Sequence, residues 1–153
     1  MHFGKRIQEL EDRESVRDLT ARYAYRINQG WNGMAVNAEA ISEIFSVNAS
    51  WACEAMNMKV QGREAIIKSL MEETREVRFA MHSYTNPLIT ISGGTAIGQW
   101  LFWVVSKPGF QQTNQVFMSQ RVDYIRTDEG WRIHHLELFF GDMVRHKHVQ
   151  SDT

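Results

Sequence analysis

The residue best suited to acid–base chemistry in this sequence is His82, in the segment AMHSYTNP that spans residues 80–87. A neutral imidazole can accept a proton and return it, which suits elimination, isomerisation or cyclisation beside a carbonyl group. The alternative is an ordinary histidine that sits in a partly buried strand and is satisfied by one hydrogen bond. The sequence contains no phosphate-binding glycine loop, no G-x-S-x-G motif and no Cys–His–Asn signature. Proton transfer by one histidine is therefore the first hypothesis.

A second candidate is the pair His134 and His135. Adjacent residues of a strand point to opposite faces, so the two rings do not favour a shared metal ion. No acidic or histidine partner has the spacing of a metal-ligand set. We therefore predict no metal site, and we place His134 on the pocket side of the last strand as a second polar group.

Composition limits the classes of protein and partner. The chain has 153 residues, of which 43% are hydrophobic and 11% aromatic, as expected for one globular domain. Seventeen basic and eighteen acidic residues give a net charge of −1 without a basic block, which argues against a nucleic-acid surface. A single cysteine excludes an internal disulfide. The charged N-terminus predicts no signal peptide, and no run approaches the roughly 20 apolar residues of a membrane span. We expect a cytoplasmic domain with no membrane partner.

Three helices are predicted in the first half of the chain. Apolar residues three or four positions apart indicate a helix within residues 15–30, which Asp12 or Ser15 would cap and Gly30 would end. A shorter helix is predicted within residues 34–45, and a third within residues 62–76. The buried stripes are predicted at Val16, Leu19, Tyr23 and Ile27 of the first helix and at Ile66, Ile67 and Leu70 of the third.

From residue 77 onward the hydrophobic period is near two, which predicts strands rich in β-branched and aromatic residues. The predicted strands are residues 77–84, 87–92, 95–106, 114–127 and 130–140, after an earlier strand-like piece at 47–53. Helices followed by a meander imply an α+β domain, and a long twisted meander curls into a cone around a pocket. The chain 1–153 is predicted as one domain, with an ordered core over about 6–144 and a tail over 145–153.

Strand alternation predicts which residues line this pocket. One face of the predicted sheet carries mostly apolar side chains, which suits a flat hydrophobic molecule with one or two oxygens rather than a sugar phosphate. The residues assigned to this face are Gly98, Trp100, Phe102 and Val104 on one strand, Val116, Met118 and Gln120 on the next, and His134 and Leu136 on the last.

Four segments, in order, carry a family resemblance: VRDLTARYAYRIN, GREAI, MHSYTNPLITISGGTAIGQW and YIRTDEGWRI. With this order and spacing, the chain resembles the SnoaL-like family of the nuclear transport factor 2-like superfamily, and most of all its scytalone dehydratase and bile-acid 7α-dehydratase type members. The resemblance implies a cystatin-like α+β cone, a curved and mainly antiparallel sheet covered by three N-terminal helices. It also implies a homodimer or homotrimer and a reaction without a cofactor.

The resemblance also assigns residues. The catalytic histidine of the dehydratases falls on His82, and a tyrosine that polarises substrate falls on Tyr23. Asn28 stands where the dehydratases have an aspartate that orients and charges the histidine, and Val104 stands at a second acidic position. Trp100 stands where scytalone dehydratase has a second histidine.

Three further residues are assigned to substrate contact. A substrate-contacting tyrosine of the family falls on Cys53, and an amide residue falls on Gln120. Asn86, in the same segment as the histidine, is also predicted to contact substrate.

These features favour a cofactor-independent lyase, isomerase or cyclase of the dehydratase type. The substrate expected is a small hydrophobic oxygenated molecule such as a polyketide, terpenoid, steroid or aromatic compound. A non-catalytic small-molecule-binding protein is the alternative, because the carboxylates of the dehydratases are replaced here. A structural small subunit of a ring-hydroxylating dioxygenase is a third hypothesis.

Overall fold

The computed structural model describes residues 2–148. Three α-helices, one turn of 3₁₀-helix and six strands follow one another along these residues. They are α1 (Phe3–Arg26), α2 (Ala38–Ser42), β1 (Phe45–Cys53), the 3₁₀ turn (Glu54–Met56), β2 (Met58–Gln61), α3 (Arg63–Thr74), β3 (Phe79–Ser92), β4 (Thr95–Lys107), β5 (Gln112–Thr127) and β6 (Gly130–Lys147).

The strands form one sheet in the order β2-β1-β6-β5-β4-β3. β3 to β6 pair antiparallel, as the predicted meander requires. β1 joins β6 in parallel and carries β2 antiparallel at the sheet edge. This curved mixed sheet and the three helices make a cone-shaped α+β fold, which confirms the predicted fold class.

Helix α1 begins at Phe3 rather than near residue 15, so neither predicted cap starts it. Asp12 instead lies buried in the middle of the helix, where its carboxylate accepts a hydrogen bond from Trp131 Nε1 at 3.2 Å and pairs with Arg126. A buried carboxylate is stable only when it is paired and hydrogen-bonded. Asp12 therefore fastens α1 to β5 and β6, which fixes the helix that carries Tyr23.

Strand β3 is one strand where two were predicted, over residues 77–84 and 87–92. Its pairing with β4 shifts between Thr85 and Leu88, and between them Asn86 has a φ of 54°. Asparagine tolerates this left-handed conformation, and proline within a sheet is confined largely to edges and bulges. The segment that predicts a break thus makes a bulge in an edge strand.

Strand β6 also carries a bulge. Tyr124 pairs with Ile133 and Asp123 pairs with His135, so His134 is an extra residue in the ladder. The strand continues to Lys147, three residues into the segment predicted as a tail. The rest of that segment from residue 149 lies outside the described residues.

The core lies between the helices and the concave face of the sheet. Its largest fully buried side chains include Tyr124, Phe45 and Leu136. Tyr124 links the two layers, because its hydroxyl lies 2.7 Å from Thr20 Oγ1 of α1 and accepts from Trp100 Nε1 of β4 at 3.0 Å. Within residues 2–148, no helix combines the length and the apolar character needed to cross a membrane.

Candidate active site

A cavity of about 360 Å³ lies between the helices and the sheet. Its volume falls within the range of small-molecule pockets. Most of its wall is apolar, with polar side chains at a few positions. The residues that line it are Tyr23, Ile27, Trp51, Met56, Met58, Leu70, Glu73, Thr74, Val77, Ala80, His82, Tyr84, Phe102, Val104, Ser106, Val116, Met118, Gln120, Leu136, Leu138, Phe140 and Met143.

The orientation of His82 is fixed by Asn28, which follows the end of α1 and is 4% exposed. Asn28 Oδ1 accepts a hydrogen bond from the His82 backbone N–H at 2.7 Å and lies 3.0 Å from His82 Nδ1. Because the backbone amide can only donate, the atom that it meets is the amide oxygen. An oxygen acceptor requires the hydrogen on Nδ1, so the lone pair of the neutral ring is on Nε2. Nε2 has no hydrogen-bond partner among the described residues.

Burial controls the charge of this imidazole. His82 stacks on Phe102 with ring centroids 5.8 Å apart. Burial lowers the pKa of His82 to about 4, since the charged form loses its hydration and Asn28 supplies no compensating charge. His82 is thus neutral at pH 7 and has a free lone pair. The free energy needed to protonate it is larger than for an exposed histidine.

Tyr23 contributes a neutral hydroxyl to the same cavity. Its side chain is 4% exposed, its ring packs edge-on against Phe45, and its hydroxyl makes no hydrogen bond with the part of the chain described. Burial raises the pKa of the Tyr23 phenol, and the negative charge of Glu73 raises it further. Tyr23 therefore keeps its proton and can donate it in a hydrogen bond to a ligand oxygen.

Tyr84 is a cavity residue that was not predicted from the sequence. Its hydroxyl donates to Gln120 Oε1 at 2.6 Å, and its ring lies 4.7 Å from that of Phe102 and 5.7 Å from that of Trp100. It stands two residues after His82 on β3, so strand alternation from the histidine could have found it. The bond to Tyr84 also fixes the amide of Gln120 in the cavity wall.

Trp51 and Glu73 were missed as well. Trp51 is 7% exposed, and its indole N–H is buried without a hydrogen-bond partner among the described residues. Such a donor costs about 1–3 kcal/mol when it is left unsatisfied. Because the nitrogen itself is buried, Trp51 lines the cavity with the carbon atoms of its ring. Glu73 lies on the exposed rim in the last turn of α3. Neither residue has a local sequence signal, because β1 and α3 meet the wall only in the folded chain.

The residues predicted from alternation on β4 and β5 largely lie in the wall. Phe102, Val104, Met118 and Gln120 line the cavity, together with Leu136 of β6.

Four predicted contact residues lie elsewhere. His134 is the extra residue of the β6 bulge, and its Nδ1 is 2.8 Å from Ser46 Oγ, outside the cavity. Cys53 is fully buried in the core. Trp100 packs against Tyr84 and Tyr124 rather than on the cavity. Asn86 sits on the β3 bulge beside a separate groove.

The polar groups of the cavity are suited to proton transfer. Within the described chain, no three His, Cys, Asp or Glu side chains gather into a metal-binding group. An unprotonated Nε2 and a neutral phenol in an apolar cavity can together remove a proton and stabilise the oxyanion that forms.

Comparison of the sequence with protein families decides the family. Residues 8–137 match the family described as the SnoaL-like domain. The chain belongs to the SnoaL-like domain family. The resemblance seen in the sequence is thus confirmed, and the four segments that suggested it lie inside the matched range. No curated protein matches this SnoaL-like chain significantly.

Solved structures share the fold of this SnoaL-like domain. A nuclear transport factor 2-like protein with a cystatin-like fold from Novosphingobium aromaticivorans is 26% identical, with a TM-score of 0.73 over 91% of this chain and 88% of that one. A protein assigned as a scytalone dehydratase from N. aromaticivorans DSM 12444 is 16% identical, with a TM-score of 0.79 over 94% and 92%. The hexachlorocyclohexane dehydrochlorinase LinA-type3 from Novosphingobium barchaimii LL02 is 15% identical, with a TM-score of 0.75 over 92% and 93%.

Proposed function

We propose that this SnoaL-like protein is a cofactor-independent lyase or isomerase that transfers a proton at His82. One observation carries the proposal: the bond to Asn28 Oδ1 places the hydrogen on Nδ1 and leaves the lone pair on Nε2. A base held in one tautomer at a ligand cavity is the arrangement that general base catalysis requires. The names of two neighbours of the same fold, a scytalone dehydratase and a dehydrochlorinase, agree with an elimination reaction.

The substrate that fits is a small, mostly apolar molecule with one or two oxygens. The wall of the cavity is formed largely by aliphatic and aromatic side chains. Tyr23 O–H makes no hydrogen bond within residues 2–148 and lines the cavity, so it would bind an acceptor oxygen of the ligand. A polyketide, terpenoid, steroid or aromatic compound with a carbonyl group has this chemistry.

The reaction follows from these groups. Nε2 of His82 takes a proton from the carbon beside the carbonyl, and the electron pair of the broken C–H bond moves to the carbonyl oxygen as an enolate. Tyr23 donates a hydrogen bond to that oxygen. In one course the enolate expels a leaving group from the β-carbon as a C=C bond forms, and the leaving group takes the proton from Nε2 of His82. In the other course Nε2 returns the proton to a different carbon of the substrate. The first course is an elimination and the second an isomerisation.

The test is turnover of a panel of hydroxylated and unsaturated ketones by wild-type protein and by His82→Gln. General acid–base catalysis typically contributes about 10² to 10⁴ in rate, so the variant should lose at least a factor of about 10². The matched control is His146→Gln, because His146 is exposed on β6 and does not line the cavity. Turnover by His82→Gln at the wild-type rate would refute the proposal.

A non-catalytic binding protein is the second candidate, and Asn28 is the observation that favours it. The imidazolium formed at His82 would have only a neutral amide beside it. Thermal stabilisation by ligands of the same panel, without turnover of any, would support this second function. Appearance of turnover after Asn28→Asp would support it further.

A further inference from the structure

Glu73 places a negative charge in the wall of the cavity. Among the described residues of the wall, it is the only acid, and no lysine or arginine lines the cavity. His82 does not offset this charge, because burial keeps the ring neutral at pH 7. A ligand that enters thus meets one negative group and no positive one.

The position of Glu73 is held by the end of α3. Thr74 Oγ1 donates to the carbonyl of Leu70 at 2.7 Å, and Gln29 Nε2 donates to the carbonyls of Thr74, at 2.8 Å, and Val77. These bonds tie the last helical turn to the residue that follows Asn28. The backbone that carries Glu73 is therefore fixed, and the carboxylate lies near enough to Tyr23 to affect the pKa of that phenol.

Nothing in residues 2–148 neutralises this carboxylate. No arginine, lysine or histidine forms a salt bridge with Glu73, and its one hydrogen bond is a long one from Ser69 Oγ at 3.4 Å. Its charge reaches the neighbouring phenol, where it adds to burial in raising the pKa of Tyr23. An unpaired charge at the entrance acts on every ligand that passes it.

We propose that Glu73 is a specificity-determining residue that admits neutral and amine-bearing apolar ligands and rejects carboxylates. This inference rests on the proposed function only in that both use the same cavity. An ammonium group at the rim would pair with the carboxylate. A ligand carboxylate would face the like charge of Glu73 at the rim, or would lose its hydration among apolar residues deeper in the cavity.

The experiment compares three probes that share one ring system: 2-naphthalenemethanol, protonated 2-naphthylmethylamine and 2-naphthoate. Dissociation constants are measured by calorimetry for wild-type protein, Glu73→Gln, Glu73→Lys and the control Glu72→Gln. Glu72 is the adjacent residue of α3, is exposed, and does not line the cavity. Glutamine and lysine are good helix formers, so the helix is retained.

The expected result is that the amine binds more tightly than the carboxylate by about tenfold in the wild type. Glu73→Gln should reduce this ratio about three- to fivefold, as expected for one partly exposed charge, and Glu73→Lys should invert it. Glu72→Gln should leave the ratio unchanged. Equal ratios in all four proteins, or no binding of any probe, would overturn the inference.

The measurement separates this inference from the proposed function because it needs no turnover. The same order of affinities is expected in His82→Gln, which lacks the proposed base. If the protein discriminates by charge but turns over no substrate, the inference about Glu73 stands and the lyase or isomerase proposal fails.

Discussion

Replacing Asn28 by aspartate should raise the pKa of His82. The two side chains have nearly the same shape, and a carboxylate oxygen can accept the same bonds from the His82 backbone N–H and from Nδ1. The Asn28 Nδ2 donates to no other group in the part of the chain described, so the exchange removes no hydrogen bond. The only large change is a negative charge beside the ring.

The size of the effect follows from the 3.0 Å distance between Nδ1 and Asn28 Oδ1. An opposite charge this close to an ionisable group typically shifts its pKa by about 1 to 3 units, and each unit corresponds to 1.36 kcal/mol. The pKa of His82 is lowered to about 4 by burial in the wild type. In Asn28→Asp it should therefore reach about 5 to 7.

The assay is a pH titration of the histidine ¹³Cε1 resonances by NMR, with His82 assigned from the resonance missing in His82→Gln. The control is Asn32→Asp, which adds the same charge at an exposed residue of the loop after α1. Asn32 has a φ of 49°, a conformation that aspartate also tolerates. If the pKa of His82 rises no more in Asn28→Asp than in this control, the assigned contact does not govern the charge of the ring.

Three further outcomes are expected. The pKa of His82 is 6.5 when exposed and about 4 in the folded protein, so the unfolded chain binds more protons between these pH values. The free energy of unfolding should therefore fall by roughly 3 kcal/mol from pH 6.5 to pH 4. Urea titrations should show this fall in the wild type and not in His82→Gln. Gly98→Ala should destabilise by about 1–3 kcal/mol, since the added Cβ would lie 2.6 Å from Trp100 Nε1, whereas Gly94→Ala meets open space and serves as its control in the same titrations. The expected homo-oligomer should form through the exposed apolar outer face of the sheet, where Leu101 is 53% exposed. Leu101→Glu should therefore shift the mass measured by light scattering towards that of the monomer. An unchanged mass would exclude this face as the interface.

Regular alternation is what made much of the cavity wall predictable from sequence. Phe102 and Val104 lie on β4, which keeps period two, and their partners on β5 are Met118 and Val116. Wherever a strand is long and one face is buried, residue spacing alone assigns the face. The meander and its helical cover follow from the same patterns.

The failures have a common physical cause, which is that the sequence does not mark bulges or distant contacts. A bulge can insert a residue without any change in composition, so His134 was assigned to the wrong face. In β3, Asn86 and Pro87 predict a break but form a bulge, so one strand was divided in two. Trp51 and Glu73 reach the wall from β1 and α3, and only the folded chain brings these elements together. Asp12 resembles a helix cap until Arg126 and Trp131 meet it from the sheet.

The β6 bulge creates one place where the strand can change length without changing its ligand-facing side. Removing a residue from a strand normally exchanges its two faces beyond that point. At His134 a deletion would instead restore a regular ladder, with Ile133 still opposite Tyr124 and Leu136 still opposite Val122. Shorter and longer homologues can thus share the same interior, and sequence alignments of the family should place a single gap at this residue.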